Sequence, residues 1–285
     1  MTVGFRPPAT QTVRRLVRDA LAEDLGPGDV TSRMIVPAQQ NARARLVARG
    51  SGVLCGIDIC RQVFSAVDQT VRFRPRLRDG RAFQPGTVLA EVQGRARSLL
   101  AAERTALNFL QRLSGIATLT RRYVVAVQGT GATILDTRKT TPGWRELEKY
   151  AVRCGGGVNH RMGLYDMVLI KDNHIAVAGS VRSALAACRQ TRLEVEVEVT
   201  SIAQVKEALA AGARRLLLDN MTLAQLRRAV QLCRGRARTE ASGGVRLQRV
   251  RKIAETGVDS ISVGAITHSA PASDIALEFI RDRRF

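Results

Sequence analysis

The stretch that decides the fold is LEVEVEVTSIAQVKEALAAGARRLLLDN, residues 193–220. Its first part, Leu193–Val199, alternates apolar and acidic side chains as a strand does, and residues 201–211 carry apolar side chains at helical spacing. The apolar run Arg215–Leu218 then predicts a second strand. A strand, a helix and a strand in succession predict two parallel strands joined by a right-handed crossover.

The same alternation continues on both sides of this stretch. Helices are predicted at 222–233 and 246–256, and further apolar strands are predicted at Thr133–Leu135, Met167–Ile170, Arg238–Ala241 and Ser260–Val263. Six or more such strands over about 140 residues favour an α/β barrel, with an open doubly wound sheet as the alternative.

The first third of the chain has a different pattern and predicts a mixed unit of strands and helices. The predicted elements are a helix at 12–25, strands at 43–49 and 71–77, and a long helix from Ser98 to Val127 that is broken near Ser114-Gly115.

Composition excludes some classes of protein. Apolar residues make up 45% of the 285 residues, which excludes a mainly disordered chain. The formal charge of +20 is spread along the chain and aromatic residues are only 4%, so we expect no nucleic-acid partner. No apolar run approaches the ~18 residues that span a bilayer, and no secretory signal is recognisable. We expect a cytoplasmic protein with no membrane partner.

The five cysteines include no C-x-x-C pair and are odd in number, which predicts reduced structural thiols. A nucleophilic Cys154 near His160 is the alternative interpretation.

The predicted strands of the second part end in polar residues. Because the carboxyl ends of parallel barrel strands meet at one mouth, we expect an active site there. The segments concerned are Asp136–Lys139, Lys171–His174, Glu198, Asp219-Asn220, Ser242–Gly244 and Gly264–His268.

Small residues follow the last two strands and predict a phosphate site. Ser242–Gly244 and Gly264-Ala265 would let backbone N–H groups approach an anion at the start of a helix, although glycines in tight turns are the alternative. The same polar segments and the neighbouring glycine-rich loop also carry several cations, which predict a ligand with several negative charges. These residues are Arg138, Lys139, Arg161 and Lys171, with His160 beside Arg161.

Three acids alternate along one strand, at Glu194, Glu196 and Glu198. Alternation places them on one face, and inside a barrel they need a cation. Glu198 and Asp219, at the ends of adjacent strands, suit Mg²⁺. A salt bridge from Glu198 to Lys139 or Lys171 is the alternative, and both arrangements are compatible.

Several long motifs resemble one enzyme family, quinolinate phosphoribosyltransferase, also called nicotinate-nucleotide pyrophosphorylase (carboxylating). The resemblance covers nearly the whole chain from about residue 20. The motifs are ERTALNFLQRLSGIAT (103–118), LDTRKTTPGWRELEKY (135–150), GGGVNHRMG (155–163), LIKDNH (169–174), LDNM (218–221), EASGG (240–244) and VGAITHS (263–269).

The resemblance implies a type II phosphoribosyltransferase fold. Residues 1–114 would form an N-terminal α/β sandwich and 115–270 an incomplete, seven-stranded type of α/β barrel, while a C-terminal helix at 271–285 would pack back on the first domain. It also implies a homodimer with shared active sites, with a higher oligomer left open, in which Arg104 crosses into the neighbour's site.

The resemblance further implies the reaction and the residues. Quinolinate and phosphoribosyl pyrophosphate would give nicotinate mononucleotide, pyrophosphate and CO₂ with Mg²⁺ as cofactor. The implied catalytic residues are Glu198, Asp219, Lys139 and Lys171, with Glu198 and Asp219 at the metal. The implied substrate-binding residues are Arg104, Thr137, Arg138, Lys139, His160, Arg161, Lys171, Ser242, Gly243, Gly244, Val263, Gly264, Ala265 and His268.

Two positions depart from the family pattern, Trp144 and Thr200, and neither removes an implied ligand. Three alternatives remain. A molybdenum-associated relative shares this fold but has altered His-Arg and Lys-Asp-Asn-His motifs, which are intact here. A Schiff-base aldolase would use a lysine at the barrel mouth. A nucleic-acid-binding protein is suggested by charge alone.

Overall fold

The computed structural model describes residues 7–280, and the chain divides into two compact units. The first unit runs to Leu119 and also takes in Glu146–Gly156 and the chain from Ala270. The second unit consists of the segments Thr120–Arg145 and Gly157–Ser269.

Helices and strands follow one another along the chain as follows. Up to residue 154 they are α1 (Thr10–Leu25), α2 (Val30–Ile35), β1 (Asn41–Ala48), β2 (Gly52–Val53), α3 (Ile57–Val67), β3 (Arg72–Pro75), β4 (Ala82–Phe83), β5 (Val88–Arg95), α4 (Ala96–Ala126), β6 (Thr133–Leu135) and α5 (Arg145–Cys154). They continue as β7 (Val168–Ile170), α6 (Asp172–Ala178), α7 (Val181–Ala187), β8 (Val195–Val199), α8 (Ile202–Ala210), β9 (Arg215–Asp219), α9 (Leu223–Cys233), β10 (Arg238–Ser242), α10 (Leu247–Ala254), β11 (Ser260–Ser262), α11 (Ala265–His268) and β12 (Ile275–Phe279). In this described part, no helix has the length and apolar character needed to span a membrane.

The first unit contains an antiparallel sheet with the strand order β12-β1-β5-β3 and a small two-stranded sheet of β2 and β4. The predicted helix at 12–25 is confirmed as α1, whose apolar stripe is buried at Val13, Leu16, Val17 and Leu21. The predicted strands at 43–49 and 71–77 are confirmed as β1 and β3.

The second unit is built on a parallel sheet of six strands in the order β6-β11-β10-β9-β8-β7. All six strands that the alternating pattern predicts are present, and the helices predicted between β8 and β11 are α8, α9 and α10. The central β9 is buried at Leu216, Leu217 and Leu218, as an apolar run in a covered parallel sheet should be.

The parallel sheet does not close into a ring. Within residues 7–280, β6 and β7 lie at its two edges and do not pair with each other. One further parallel bridge joins Leu135 of β6 to Val158, so the segment around Val158 adds a single residue beyond β6. This arrangement is the expected incomplete barrel, with a bridge in the position of a seventh strand.

The predicted break near Ser114-Gly115 is wrong, because α4 runs without interruption from Ala96 to Ala126. Both small residues allow neighbouring segments of the first unit to approach α4 closely. The hydroxyl of Ser114 accepts a hydrogen bond of 3.0 Å from the amide of Cys55. A Cβ atom at Gly115 would lie 2.0 Å from the carbonyl oxygen of Pro271, so glycine permits a close approach of two backbones.

Gly115→Ala is therefore expected to destabilise the protein by about 1–3 kcal/mol, as overpacking does. In a helix with open space at this position, the same change would stabilise the protein by about 1 kcal/mol. The sign of the change in unfolding free energy therefore shows whether the two backbones are in close contact. Gly50→Ala is the control, since a Cβ there meets no atom within 4 Å. Urea denaturation gives the free energy of unfolding of both variants. A Gly115→Ala variant that is more stable than the parent would contradict the close approach of the two backbones.

The expected C-terminal helix is also wrong where the structure describes it. Ile275–Phe279 forms strand β12, which pairs antiparallel with β1 from Ala48↔Ile275 to Ala44↔Phe279. Backbone hydrogen bonds to the open edge of β1 outweigh the helix propensity of the Ala-Leu-Glu segment, because local propensity is a weak preference. Residues 281–285 of that expected helix lie outside the described residues.

Candidate active site

Most of the sequence-predicted site residues meet in one cavity of the second unit, with a volume of about 680 Å³. Leu169 and Leu217 contribute apolar lining and pack with Met167 in a small buried cluster. The predicted residues that line the cavity are Thr137, Arg138, Lys139, His160, Arg161, Lys171, Glu198, Asp219, Ser242, Gly243, Gly244, Gly264, Ala265 and His268.

Two predicted site residues do not line the cavity. Val263 is 1% exposed, and its amide donates a hydrogen bond of 2.9 Å to the carbonyl oxygen of Leu135. Arg104 is an exposed residue of α4 in the first unit.

Four cations of the cavity make no ion pair within residues 7–280, namely Arg138, Lys139, Arg161 and Arg246. Arg161 is only 9% exposed, and its guanidinium donates to the carbonyl oxygen of Met167 at 3.1 Å. Burial, and then the charge of Arg138, lower the pKa of Arg161. Several positive charges that make no ion pair within the described residues favour an anionic ligand.

A fifth cation of the cavity, Lys171, has an acidic partner. Its Nζ lies 2.7 Å from Oε2 of Glu198, whose side chain is 13% exposed. The predicted salt bridge between these residues is thus present. His174 orients the backbone of the same loop, because its Nδ1 accepts a hydrogen bond of 2.9 Å from the Lys171 amide.

The loops after β9 and β10 pack closely together beside the cavity. Asn220 has a φ of +52° and donates from its side chain to Oδ2 of Asp219 at 2.7 Å. Its amide donates to the carbonyl oxygen of Ser242 at 3.0 Å. At Gly243, where φ is +89°, a Cβ atom would lie 2.2 Å from Oδ1 of Asn220. Glycine is therefore required at this position by backbone conformation and by space.

The loop after β11 is equally close to its neighbours. A Cβ atom at Gly264 would lie 3.1 Å from Cδ of Lys139 and 3.2 Å from Nε2 of His268. Ala265 begins α11 directly after this glycine. Ala265 and the loop that follows β10 both line the cavity, and small residues such as these let a phosphate approach the backbone closely.

His160 has both ring nitrogen atoms in contact with protein groups. Its Nδ1 accepts a hydrogen bond of 2.7 Å from the backbone N–H of Arg161. A backbone N–H can only donate, so the ring proton is on Nε2, which lies 3.2 Å from Oε2 of Glu196 and 3.5 Å from Oε1 of Glu240. In this arrangement the ring lines the cavity while both of its nitrogen atoms contact protein groups.

A buried ionic network lies behind His160. Arg215 donates to Glu196 at 2.9 Å and to Glu240 at 2.9 Å, and both carboxylates are fully buried. Burial acts to raise the pKa of Glu196, but the hydrogen bond from His160 and the charge of Arg215 outweigh it and hold that pKa below its ordinary value. Burial and the neighbouring Glu196 raise the pKa of Glu240. Although His160, Glu196 and Glu240 have ligand atoms within 4.8 Å of one another, Arg215 already supplies the cation there.

The inward orientation predicted for the acids of β8 holds for Glu196 and Glu198 and is wrong for Glu194. The Glu194 side chain is 51% exposed, because this residue precedes the first residue of β8. It contacts the outer end of Arg215 at 3.0 Å.

Arg215→Met is expected to lower the free energy of unfolding by about 3–5 kcal/mol, because it leaves buried carboxylates without their cation. Arg214→Met is the matched control at the adjacent, exposed position and is expected to stay within about 0.5 kcal/mol of the parent. Denaturant unfolding of both variants makes the comparison, and equal stabilities would contradict the role of the network.

Sequence analysis missed two contributors to the site, Arg215 and Glu240, and placed Asp136 at the barrel mouth without giving it a role. Asp136 is fully buried and accepts hydrogen bonds from Nδ2 of Asn159 at 2.6 Å and the amide of His160 at 2.9 Å, so it holds the loop that carries Arg161. Its position directly after strand β6 is the signal by which the sequence placed it at the mouth. The alternative of a nucleophilic Cys154 finds no support, because this thiol is buried in the first unit and hydrogen-bonded with Cys55.

Comparisons with known proteins agree with this geometry. Residues 29–114 match the family model for the quinolinate phosphoribosyl transferase N-terminal domain, and residues 116–278 match that for its C-terminal domain. A probable nicotinate-nucleotide pyrophosphorylase (carboxylating) of Bacillus subtilis is 43% identical over 93% of this chain and 93% of its own length. Quinolinate phosphoribosyltransferase (decarboxylating) 1b of Nicotiana tabacum is 43% identical over 96% of this chain and 84% of its own length.

Solved structures show the same fold. NadC from Streptococcus pyogenes is 40% identical, with a TM-score of 0.92 over 96% of this chain and 99% of that one. The nicotinate-nucleotide pyrophosphorylase from Francisella tularensis is 40% identical, with a TM-score of 0.91 over 98% of this chain and 100% of that one. Both domain models and these relatives place the chain in the quinolinate phosphoribosyltransferase family.

Proposed function

We propose that the protein transfers the phosphoribosyl group of phosphoribosyl pyrophosphate to quinolinate with decarboxylation, giving nicotinate mononucleotide, pyrophosphate and CO₂. The observation that carries the proposal is the cavity itself. It combines four cations that make no ion pair within residues 7–280, three carboxylates and two glycine loops. The names of the relatives describe this same reaction.

Quinolinate is a pyridine ring with two adjacent carboxylates, and it would bind at Arg138 and Arg161. A guanidinium binds a carboxylate bidentately, and the partly desolvated Arg161 would gain most from an anion. His160, whose nitrogen atoms face protein groups, would keep the Arg161 loop in place. Thr137 would support Lys139, whose amide donates to the Thr137 hydroxyl at 3.0 Å.

Phosphoribosyl pyrophosphate would lie across the glycine loops. Ser242, Gly243, Gly244, Gly264 and Ala265 would surround its 5′-phosphate with backbone N–H groups, and His268 also lines this part of the cavity. Val263 would act from behind the wall, since it is buried directly before Gly264. Lys139 and Lys171 would act as point charges for its pyrophosphate.

The transfer step requires little covalent chemistry from the protein. The pyridine nitrogen would attack ribose C1 as pyrophosphate departs, and positive charge would develop on the ribose as an oxocarbenium. Glu198 and Asp219 are the carboxylates of the cavity that can stabilise this charge. The C2 carboxylate would then leave as CO₂, with its electron pair stabilised by the adjacent positive ring nitrogen.

The donor set at Glu198 and Asp219 suits Mg²⁺. Oε2 of Glu198 contacts Lys171 and Oδ2 of Asp219 contacts Asn220, while the second oxygen of each carboxylate makes no hydrogen bond within residues 7–280. Magnesium is typically held by one or two carboxylates together with substrate phosphates and water. Bound there, the ion would neutralise the charge of the departing pyrophosphate.

We also propose a homodimer in which Arg104 of one subunit completes the site of the other, since Arg104 is exposed and matches the family motif. Arg104→Ala and Arg161→Ala are each expected to be inactive alone, whereas mixed dimers should regain activity because one of their two sites is complete. Assays of tagged, purified heterodimers measure this. No recovery in verified heterodimers would contradict a shared site.

We place the protein in the cytoplasm, without a nucleic-acid or membrane partner. Its relatives divide on location, because some plant relatives are described as chloroplastic or mitochondrial and the Bacillus subtilis relative is bacterial. Fractionation of the native host decides between these locations. The Schiff-base alternative is tested by borohydride trapping with a carbonyl substrate, which should leave Lys139 and Lys171 unmodified.

The proposed reaction is tested with purified protein, quinolinate, phosphoribosyl pyrophosphate and Mg²⁺. Nicotinate mononucleotide, pyrophosphate and CO₂ are expected in equal amounts, and nicotinate as the control substrate should give no product because it lacks the second carboxylate. No product from folded protein would favour the molybdenum-associated relative.

A further inference from the structure

Arg145, the first residue of α5, forms hydrogen bonds to two loops of the second unit. Its Nε donates to Oγ1 of Thr140 at 3.0 Å, and its two terminal nitrogen atoms donate to the carbonyl oxygens of Met162 at 3.1 Å and Arg138 at 3.3 Å. In the described part of the chain it makes no ion pair. All three acceptors of the Arg145 guanidinium are therefore neutral oxygen atoms.

The two loops joined by Arg145 carry the two cations assigned to quinolinate. Thr140 and Arg138 belong to the loop after β6, and Met162 directly follows Arg161. The amide of Thr140 also donates to the carbonyl oxygen of Arg138 at 2.9 Å, so this oxygen is held from two directions.

Arg138 and Arg161 carry like charges close enough for Arg138 to lower the pKa of Arg161. These like charges oppose a close approach of the two arginines, and besides the hydrogen bonds from Asn159 and His160 to Asp136, a second specific link keeps the spacing of the loops. Arg145 supplies this link with a planar fork whose donors reach three acceptors, a geometry that a lysine ammonium does not reproduce.

We propose that Arg145 is a positioning residue that sets the spacing between Arg138 and Arg161 for the two carboxylates of quinolinate. The inference rests on the proposed function, because it requires quinolinate to bind at these two arginines. It assigns to Arg145 a role in substrate specificity that requires no contact with the substrate.

The test compares Arg145→Met and Arg145→Lys with Arg182→Met, a matched control at an exposed arginine without an ion pair. For Arg145→Met, we expect the KM for quinolinate to rise about ten-fold or more, because displaced binding groups lose affinity steeply. The KM for phosphoribosyl pyrophosphate and the melting temperature should stay close to those of Arg182→Met. Arg145→Lys should give a smaller rise, and it carries the test if Arg145→Met does not fold.

A double-mutant cycle with Arg138→Met separates positioning from general stability. If Arg145 acts through Arg138, its substitution should raise the quinolinate KM less in the Arg138→Met background than in the parent. An equal rise in both backgrounds, or equal rises in KM for both substrates, would overturn the proposal. Binding of quinolinate followed by the emission of Trp144, the single tryptophan, gives a second readout.

The two levels of the proposal fail in different ways. If Arg138→Met alone leaves the quinolinate KM unchanged, the assignment of Arg138 under the proposed function is overturned, and the inference with it. If Arg138→Met raises the KM and neither Arg145 variant does, the site assignment stands and the inference is overturned.

Discussion

Arg161→Met is expected to lower kcat/KM for quinolinate by about 10³-fold, because a bidentate, charge-assisted pair is worth about 4 kcal/mol and each 1.4 kcal/mol is a factor of ten. Arg161 is buried, lies close to Arg138 and makes no ion pair within residues 7–280. Loss of its charge removes the most desolvated cation of the cavity.

Steady-state kinetics with each substrate varied in turn measure this effect. The KM for phosphoribosyl pyrophosphate should change little, since Arg161 is assigned to the other substrate. Arg161→Lys retains the charge and loses the fork, so it should recover only part of the activity. A quinolinate affinity equal to that of the parent, measured by calorimetry on folded Arg161→Met, would remove this residue from the site.

Glu198→Gln is expected to lower kcat by about 10²–10³-fold, the loss typical when one electrostatic contact to the transition state is removed. The substitution keeps the shape of the side chain and removes its charge, so the oxocarbenium and the metal lose a carboxylate. Lys171 loses its ionic partner at the same time.

Rapid-quench measurements of a single turnover isolate the transfer step for this variant. Glu207→Gln, at an exposed residue of α8, is the matched control and should retain the parent rate. Substrate binding by Glu198→Gln should remain measurable, because the arginines and glycine loops are intact. A transfer rate equal to that of the control would exclude Glu198 from the chemistry.

The parallel sheet was predictable because its strands are short apolar runs that end in polar residues. The stretch around β8 and β9 shows this: alternation, a helical segment and the buried Leu216–Leu218 run are all local patterns. The helix expected at the C-terminus was wrong because its partner, β1, is more than 200 residues earlier in the chain. Pairing with such a distant edge leaves little local signal.

The candidate site was predictable to the extent that its residues follow strands directly. The glycine loops and Lys171 were found in this way. Arg215 was missed because it begins a strand, at the end opposite the expected active site. Its role depends on ion pairs with Glu196 and Glu240, which lie on two other strands. The role of His160 also needed coordinates, since only the contact from the Arg161 amide shows which ring nitrogen carries the proton.

The measurement that tests the account most directly is a crystal structure of the protein with quinolinate, Mg²⁺ and an unreactive analogue of phosphoribosyl pyrophosphate. The account predicts the quinolinate carboxylates on Arg138 and Arg161, the 5′-phosphate on the Gly243 and Gly264 loops, and ribose C1 beside Glu198. Either anion bound outside this cavity, with the cavity itself accessible in the crystal, would contradict it.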